Sequence, residues 1–515
     1  MPAPSDNAPS WALPGVLVVA TAMAVAYFPL PADDAYIVAR YVSQLYAGHG
    51  LVYNEGEFVN ALTSPLHAGA LALLRVFAGD FVTVYRIAAA TAAIALLACM
   101  AWRKWGNSAT AALFLALTLW CPFVAFWMVG GLETPMLLCV CTAVAFVALS
   151  PTLRTSPSAA AGLVLLATLA VLLRYDASLL VTPPAIYAAW LHRNDKRLRL
   201  AVVAGVAAAA AWAAFTIGYY GDPLPTSFYV KAAHLPAIEE LGRGLLYVAS
   251  FLCLTWLWLP LTAPRSDPTP DDPALARRAL WTGVVLSFAY AVFASTKHMM
   301  YAYRFLVPYL PVVALLLLSH RPLRAARAAL VLASLLAWQI ALALFLHAYS
   351  QNPTLSLVVE GMSDAGERYE FSHLGARHTA SFLATAEPQA TAIREHWPRT
   401  ALGSSRAPRV LVSAGGLLPF LLPDAYVLEQ LVSYRHGCRI APEPLADYLQ
   451  VIYVEEDSEA IARERMQQGR EVIGRWTFVA DGLREKPQAL AVEIWYRPSA
   501  IPLTLPETIG APCKQ

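Results

Sequence analysis

Two adjacent carboxylates, Asp33 and Asp34, follow directly on the first apolar segment of the chain, residues 11–30. Carboxylates at the edge of a membrane span are costly unless they are paired or used, so this pair is a candidate for chemistry. A carboxylate in such a position can act as a general base that takes the proton of an attacking hydroxyl group. We therefore interpret Asp33 and Asp34 as candidate catalytic residues.

Further ionisable and polar residues lie in the same loop or at the ends of later apolar segments, on the same predicted side of the membrane. Cations and hydrogen-bond donors stabilise the charge of a departing phosphate, and long cations bind phosphate well. The combination of base and cations fits transfer of a group from a lipid-linked phosphate. The candidate residues for binding the donor phosphate or the substrate are Tyr36, Arg40, Glu133, Arg174, Asp176, Lys231, His298 and Arg304.

Each of these residues also has an ordinary structural interpretation. Glu133 could cap the helix predicted to begin at Thr134, because acids favour helix N-termini. Arg174 and Asp176 could form a local ion pair of small energetic value. Lys231 and Arg304 could extend their charged ends towards the membrane interface. His67 and His298 occupy positions where histidine is more often structural, and the two aspartates could simply begin a solvated loop.

Composition indicates that much of the chain lies in lipid. Of the 515 residues, 58% are hydrophobic and 14% charged, with a mean hydropathy of +0.51. Soluble domains carry nearer a quarter charged residues. Because a spanning helix needs roughly 20 apolar residues, we predict about eleven transmembrane helices. Their approximate ranges are 11–30, 84–102, 109–129, 134–150, 157–173, 176–191, 200–219, 242–263, 279–296, 305–319 and 327–348.

The chain divides into a transmembrane part, residues 1–349, and a soluble part, residues 350–515. If the N-terminus lies inside the cell, the loops on the inner side carry more basic residues than the outer loops, as is usual for membrane proteins. With about eleven spans, this orientation places the C-terminal part outside. Predicted strands near 408–413 and 450–454 and a predicted charged helix at 456–468 indicate a small mixed α/β domain, which could bind carbohydrate. In a periplasmic domain, Cys438 and Cys513 could pair as a disulfide or remain as two buried thiols.

The first outward loop, residues 31–83, is longer than a connection between spans requires. From Asp34 to Tyr46 the apolar residues follow one helical face, which predicts a helix lying in the membrane interface. A second interfacial helix is predicted over residues 66–79, with Thr63 or Ser64 as its N-cap.

The first loop carries the motifs Asp33-Asp34-Ala35-Tyr36-Ile37, Arg40-Tyr41, Gly48-His49-Gly50-Leu51-Val52-Tyr53-Asn54-Glu55-Gly56-Glu57 and Thr63-Ser64-Pro65-Leu66. Weaker landmarks follow at Gly131–Thr134, Arg174–Asp176, Leu224–Lys231 and Arg304–Pro308. In these motifs and their order the sequence resembles the GT-C superfamily of glycosyltransferases. It is most similar to the branch that holds the mycobacterial terminal β-(1→2)-arabinofuranosyltransferases.

The resemblance implies a polytopic GT-C fold with an outer-face active site in a bacterial inner membrane. It also implies an inverting transferase that uses a polyprenyl-phosphate sugar, with D-arabinofuranose as the expected sugar. An aspartate of the first loop would be the base, and by position we prefer Asp33 to Asp34. The stretch Asn60-Ala61-Leu62 departs from the family pattern and leaves the acceptor open among a glycan, a lipid-linked glycan and a protein.

Other interpretations remain open from the sequence. The same fold could use a lipid-linked hexose or aminopentose, as in modification of lipid A or pilin. A transporter of lipid-linked sugars would show related halves and ionisable groups near the middle of the membrane. A carbohydrate-binding scaffold would leave the Asp33-Asp34 loop unexplained. We expect no cofactor and no nucleic-acid partner. We also expect the reaction to need no metal ion; the alternative is one divalent cation held by the acidic side chains.

Overall fold

The computed structural model describes most of the membrane part and about two fifths of the C-terminal part. The described residues are 12–232, 238–257, 273–294, 301–319, 325–349, 383–397, 407–412, 414–429, 432–435, 438–439, 449–455, 471–478 and 490–496.

Helices dominate the described part of residues 1–349. In chain order they are α1 Ala12–Tyr27, α2 Asp34–Tyr46, α3 Pro65–Phe77, α4 Phe81–Trp105, α5 Ala109–Leu119, α6 Pro122–Val129, α7 Thr134–Ala148, α8 Thr152–Thr155, α9 Pro157–Leu173, α10 Ser178–Leu191, α11 Lys196–Tyr220, α12 Thr226–Ala232, α13 Ile238–Leu254, α14 Ala274–Ala294, α15 Leu310–Leu318 and α16 Ala325–Tyr349. Single turns of 3₁₀ helix cover Tyr175–Ala177, Tyr301–Tyr303 and Val307–Tyr309.

The centre of the membrane part is built from helices that are apolar on every side. All residues of α5 and α6 are buried, and so is nearly all of α15. A helix without a polar face has no side to present to water, which explains why these three lie inside the bundle. Helices α1, α4 and α16 pack against α5 from outside.

The predicted span 109–129 consists of two helices, because the chain breaks between α5 and α6 with a bend of 69°. Pro122 begins α6 and has no N–H for the preceding turn. Its ring also forces Cys121 into an extended conformation, with φ −74° and ψ 124°. The pair is either a broken span or a re-entrant segment.

Length and composition identify few complete spans within the described ranges. Two helices, α4 and α11, are long and apolar enough to cross a membrane alone, and the bent pair α5–α6 would make a third. Most of the remaining predicted spans correspond to shorter apolar helices. The predicted number of about eleven transmembrane helices therefore stays a prediction.

Two amphipathic helices of the first loop form as the sequence predicts. Helix α2 covers Asp34–Tyr46, and α3 begins at Pro65 with Ser64 as its N-cap. The Ser64 hydroxyl accepts the backbone N–H of His67, which satisfies one free donor of the first turn. The predicted cap at Ser64 is thereby confirmed.

The described residues beyond 383 form a mixed sheet with two helices. Its strand order is β2-β1-β5-β7-β6; β1 runs parallel to β2 and β5, and β7 runs antiparallel to β5 and β6. The strands are β1 Arg409–Leu411, β2 Tyr426–Leu428, β5 Leu449–Glu455, β6 Glu471–Phe478 and β7 Leu490–Tyr496; a separate pair joins β3 Tyr434–Arg435 to β4 Cys438–Arg439. The helices are α17 Ala386–His396 and α18 Leu417–Phe420.

Strands β1 and β5 confirm the two strands predicted near 408–413 and 450–454. The predicted helix at 456–468 lies outside the described residues, and so do the side chain of Cys438 and all of Cys513. The disulfide alternative therefore stays open.

The first loop and the C-terminal domain share one apolar core, which is separate from the core of the membrane part. From the loop side it contains Val38, Tyr41 and Leu62, and from the domain side it contains Ile393 and Val427. The loop therefore positions the domain as well as the candidate catalytic pair.

Candidate active site

Five of the predicted site residues lie together, although the chain separates them by up to 270 residues. Asp34 begins α2, Glu133 precedes α7, Arg174 follows α9, Asp176 lies in the 3₁₀ turn after it, and Arg304 follows the turn Tyr301–Tyr303. All five stand at ends of helices, where side chains from several elements can converge. We refer to them as the acid–arginine network.

Alternating charges connect the acid–arginine network. Arg304 Nη1 lies 2.8 Å from Asp34 Oδ2, and Arg304 Nη2 lies 3.9 Å from Glu133 Oε1. Arg174 Nε lies 3.8 Å from the same Glu133 oxygen. Arg174 also binds Asp176 through two hydrogen bonds of 3.0 and 2.8 Å. The expected local pair Arg174–Asp176 thus exists, but it is part of a larger arrangement.

Exposure gives the network an open end and a closed end. The side chain of Asp34 is 47% exposed, that of Arg304 14% and that of Glu133 2%. Asp176 is covered further by the hydroxyl of Tyr309, which lies 3.3 Å from its Oδ2. The network is therefore open at Asp34, which Arg304 contacts, whereas Glu133 and Arg174 are buried.

A strained turn holds Arg304. Ala302 and Tyr303 have φ values of 51° and 53°, in a region that costs residues with a Cβ about 1–3 kcal/mol. The indole N–H of Trp127 donates to the carbonyl oxygen of Ala302 at 2.8 Å, and the Arg304 guanidinium lies 5.4 Å from the centre of the Trp127 ring. Sequence analysis missed Trp127, because inside an apolar helix it is indistinguishable from an ordinary core residue.

Asp33 has different partners from its neighbour. Its carboxylate accepts the backbone N–H groups of Gly416 at 3.0 Å and of Leu417 at 2.8 Å. Burial raises the pKa of the Asp33 carboxyl to about 6, with a further rise from the Asp34 charge, and the two N–H groups oppose this rise. The predicted pair therefore faces two directions, Asp33 towards the C-terminal domain and Asp34 towards Arg304.

Arg40 and Tyr36, two of the predicted substrate-binding residues, lie apart from the acid–arginine network. The buried guanidinium of Arg40 donates to four backbone carbonyl groups, those of Tyr53, Pro419, Leu422 and Ala425. Four of its five N–H groups therefore donate to carbonyl groups, which a phosphate would have to displace. The ring of Tyr36 packs against Phe420 at 5.3 Å. Apart from Tyr53, these partners belong to a segment about 380 positions away, so the sequence could not reveal the contacts.

Two predicted cations cannot be assigned a contact. Lys231 lies in α12, but its side chain is outside the described residues, as is all of His298. The backbone N–H of Thr226, in the first turn of α12, donates to the carbonyl oxygen of Asn60 at 2.7 Å. This contact connects the beginning of the helix that carries Lys231 to the first loop.

His67 lies beside the closed side of the network. It is fully buried, and its ring centre lies 4.9 Å from that of Tyr85. Burial lowers its pKa to about 4, although the Glu133 charge acts in the opposite direction. The imidazole is therefore neutral at physiological pH, which agrees with the structural interpretation from the sequence.

Metal binding is not decided by the described residues. Among them, no three His, Cys, Asp or Glu side chains are grouped closely enough to hold an ion. His298 lies outside that set, so metal independence stays a prediction.

Comparison with known proteins shows similarity in fold over nearly the whole chain. The structure matches crystal structures of ArnT from Cupriavidus metallidurans, one bound to undecaprenyl phosphate and one in the apo state. The TM-scores are 0.51 and 0.54, at 14% sequence identity. The matches cover 94% and 93% of this chain and 98% of each ArnT chain. No family model matches the sequence.

One curated relative agrees with the resemblance of the first loop. The terminal β-(1→2)-arabinofuranosyltransferase of Mycobacterium tuberculosis is 30% identical over 251 residues. The match covers 45% of this chain and 39% of the length of that relative. The chain therefore has the helical fold of ArnT, and its partial similarity to the arabinofuranosyltransferase confirms the resemblance inferred from the sequence.

Proposed function

We propose that the protein is a glycosyltransferase that moves a sugar from a polyprenyl-phosphate carrier to an acceptor on the outer face of a bacterial inner membrane. The observation that carries this proposal is the acid–arginine network, which ends in a half-exposed carboxylate held beside a guanidinium. The ArnT fold, seen in that protein with undecaprenyl phosphate bound, supports a lipid-linked donor.

The proposed reaction is a single displacement. An acceptor hydroxyl loses its proton to an aspartate of the first loop as its oxygen bonds to the anomeric carbon of the sugar. The bond from that carbon to the phosphate oxygen breaks on the opposite side, and polyprenyl phosphate leaves with the electron pair. Attack opposite the leaving group inverts the anomeric configuration. Asp34 is the more accessible of the two candidate bases, since 47% of its side chain is exposed.

Arg304 is the proposed contact for the donor phosphate. Of the two arginines, Arg174 is occupied by Asp176 and by the carbonyl oxygen of Arg304, whereas Arg304 lies nearer the open end. The network contains three carboxylates and two guanidinium groups, so a further negative charge needs an additional cation. Lys231 and His298 are the predicted candidates.

D-arabinofuranose is the proposed sugar. This choice rests on the similarity between part of this chain and the arabinofuranosyltransferase. The acceptor is proposed to be a glycan, a lipid-linked glycan or a protein of the cell envelope. The C-terminal domain lies on the outer face in this proposal and could bind the acceptor. No metal takes part in the proposed reaction.

The test is sugar transfer by the purified protein in detergent or nanodiscs. Synthetic polyprenyl-phosphoryl arabinofuranose is offered beside hexose and aminopentose analogues, with arabinoside, mannoside and galactoside acceptors. We expect an inverted product from the arabinofuranosyl donor, and an unchanged rate when a chelator is added. Preference for another donor would identify a different sugar as the substrate. Loss of activity with the chelator would show that a metal ion is required. If polyprenyl phosphate is released from none of the donors, the transporter or scaffold alternative is favoured.

A further inference from the structure

Asp33 holds one end of α18, the short helix of the C-terminal domain that lies on the first loop. Its Oδ2 accepts the N–H of Gly416 at 3.0 Å, and its Oδ1 accepts the N–H of Leu417 at 2.8 Å. Both oxygens of the carboxylate are thus bonded to the backbone that begins α18. Charge-assisted hydrogen bonds of this kind are stronger than neutral ones.

Arg40 holds the other end of the same segment. It lies two turns after Asp33 along α2, and its guanidinium donates to the carbonyl oxygens of Pro419, Leu422 at 2.7 Å and Ala425 at 2.5 Å. Its Nε donates to Tyr53 of the first loop at 2.9 Å. A carboxylate therefore binds donors at the start of α18, and a guanidinium binds acceptors at and after its end.

Gly416 permits the close approach between α18 and Asp33. A Cβ added at position 416 would overlap both the backbone carbonyl oxygen and the carboxyl group of Asp33. At the neighbouring Gly415, an added Cβ would lie 3.4 Å from the nearest atom, Oε2 of Glu429. The two glycines thus provide a disruptive variant and a matched control within the same loop.

The surroundings of Asp33 belong to the C-terminal domain. A small cavity beside its carboxylate is lined from that domain by Leu383, Thr385, Gln389, Val412 and Leu418. Asp34 instead reaches Arg304. Successive residues at the start of a helix point about 100° apart, which accounts for the two directions.

We propose that Asp33 and Arg40 form a latch that docks the C-terminal domain on the first loop, so that Asp33 is a positioning residue and Asp34 receives the proton. The latch is independent of the transfer reaction, whereas this division of roles rests on the proposed function. A domain held in this way keeps a fixed position relative to the open end of the acid–arginine network. A bound acceptor would then meet Asp34 in one orientation.

Hydrogen exchange tests the latch without requiring activity. The variants are Asp33→Asn, Arg40→Gln and Gly416→Ala, with Gly415→Ala as the matched control and Asp34→Asn as the network control. We expect exchange at the amides of residues 416 and 417 to become at least about tenfold faster in the three latch variants, because each loses charge-assisted contacts. Both controls should exchange as the wild type does. Unchanged exchange in α4 shows that the fold survives.

Transfer kinetics then test the division of roles. If Asp33 acts through the latch, Gly416→Ala reproduces the effect of Asp33→Asn, mainly as a higher acceptor KM, and the double variant is no worse than either single one. The proposal is overturned if exchange at 416 and 417 is unchanged in the latch variants. It is also overturned if Asp33→Asn abolishes turnover while Gly416→Ala keeps it, since Asp33 would then be the base. Failure of every variant and of the wild type to transfer sugar would count against the proposed function alone.

Discussion

At the residue scale, Asp34 is the most exposed member of the acid–arginine network, and it contacts Arg304. Their 2.8 Å contact joins the first loop to a turn 270 residues later, and Glu133 lies behind it at 3.9 Å from Arg304. A carboxylate in this position combines access to an acceptor with a neighbouring positive charge. Removing either group should therefore affect chemistry more than stability.

Arg304→Lys is the sharpest test of the proposed phosphate contact. A lysine keeps the charge but cannot bind two groups at once with a planar fork. We expect donor release to slow by about 10²–10³-fold, the usual cost of losing a positioned charge stabiliser, with little change in Tm. The measurement is single-turnover release of polyprenyl phosphate, and a rate within a few-fold of wild type would contradict a role at the phosphate.

Asp33 should make stability depend on pH in a definite direction. Its pKa is about 6 in the folded protein against 3.8 for an ordinary aspartate, so the folded state binds the proton more tightly. The resulting stabilisation is complete below about pH 4 and is lost as the pH rises through 6. Relative to Asp33→Asn, the wild-type Tm should therefore rise between pH 7 and pH 5. A constant difference between the two proteins across this range would show that the Asp33 pKa is not raised.

Residue types and positions predicted much of the network, because acids and arginines at the ends of apolar segments are informative by themselves. Asp34, Glu133, Arg174, Asp176 and Arg304 were all predicted, and the structure brings them together. The partners of Arg40 were not predicted, because three of them are backbone carbonyl groups of a distant segment. The roles of Gly416 and Trp127 were not predicted, because they depend on contacts with residues that are distant in the sequence.

At the element scale, the turn between α6 and α7 places Glu133 against the start of α2. Gly131 has a φ of 90°, and a Cβ there would lie 3.0 Å from the Cβ of Ala35. The backbone N–H of Ala32 donates to the carbonyl oxygen of Gly130 at 2.8 Å, which joins the turn to the residues before α2. A glycine is therefore required by both conformation and space.

Gly131→Ala should destabilise the protein, by about 1–2 kcal/mol for the left-handed conformation alone. We expect a lower Tm in detergent together with slower sugar transfer, because Glu133 moves with the turn. Gly162→Ala is the matched control, since a Cβ at that position in α9 meets nothing within 4 Å. Equal Tm values for the two variants would contradict the close packing at Gly131.

Trp127→Phe tests the support of the strained turn before Arg304. Phenylalanine keeps an aromatic ring but removes the N–H that holds the carbonyl group of Ala302. With this hydrogen bond lost, we expect the turn to relax and the transfer rate to fall about tenfold. Trp102→Phe, at an exposed position of α4, should leave the rate unchanged. A wild-type rate for Trp127→Phe would show that Arg304 keeps its place without Trp127.

Periodicity and capping predicted individual helices better than their arrangement in the bundle. Helix α2 and the N-cap of α3 follow from an apolar stripe and a serine before proline, both local features. Pro122 is a local signal for a break in the helix, but the apolar residues continue on both sides of it and therefore predicted a single span. The junction of the first loop with the C-terminal domain was not predictable, because it depends on contacts between parts of the chain about 380 residues apart.

At the scale of the whole molecule, the described helices have two chemically different ends. Helix α9 runs about 25 Å from Ser156 to Arg174 at the usual rise per residue. Near its first end His192 contacts Leu153 and Arg197 contacts Ser158, whereas its other end meets the acid–arginine network. These basic residues and the candidate site thus lie at opposite ends of this helix, and the orientation predicted from the loops stays a prediction.

Cysteine labelling in intact cells tests that orientation. Glu55→Cys in the first loop should react with a membrane-impermeant maleimide, and Arg193→Cys after α10 should react only after the cells are opened. Both positions are exposed, so the difference reports sidedness. Labelling of Arg193→Cys in intact cells would reverse the proposed orientation.

The most direct measurement of the central claim compares binding and turnover in Asp34→Asn. Wild type and variant receive the same polyprenyl-phosphoryl arabinofuranose and acceptor, and both donor affinity and release of polyprenyl phosphate are recorded. We predict that the variant binds the donor within a few-fold of wild type and releases it about 10²–10⁴-fold more slowly, as expected for loss of a general base. Equal release by the two proteins would contradict the assignment of Asp34 as base, and donor binding without release in either would contradict a transferase.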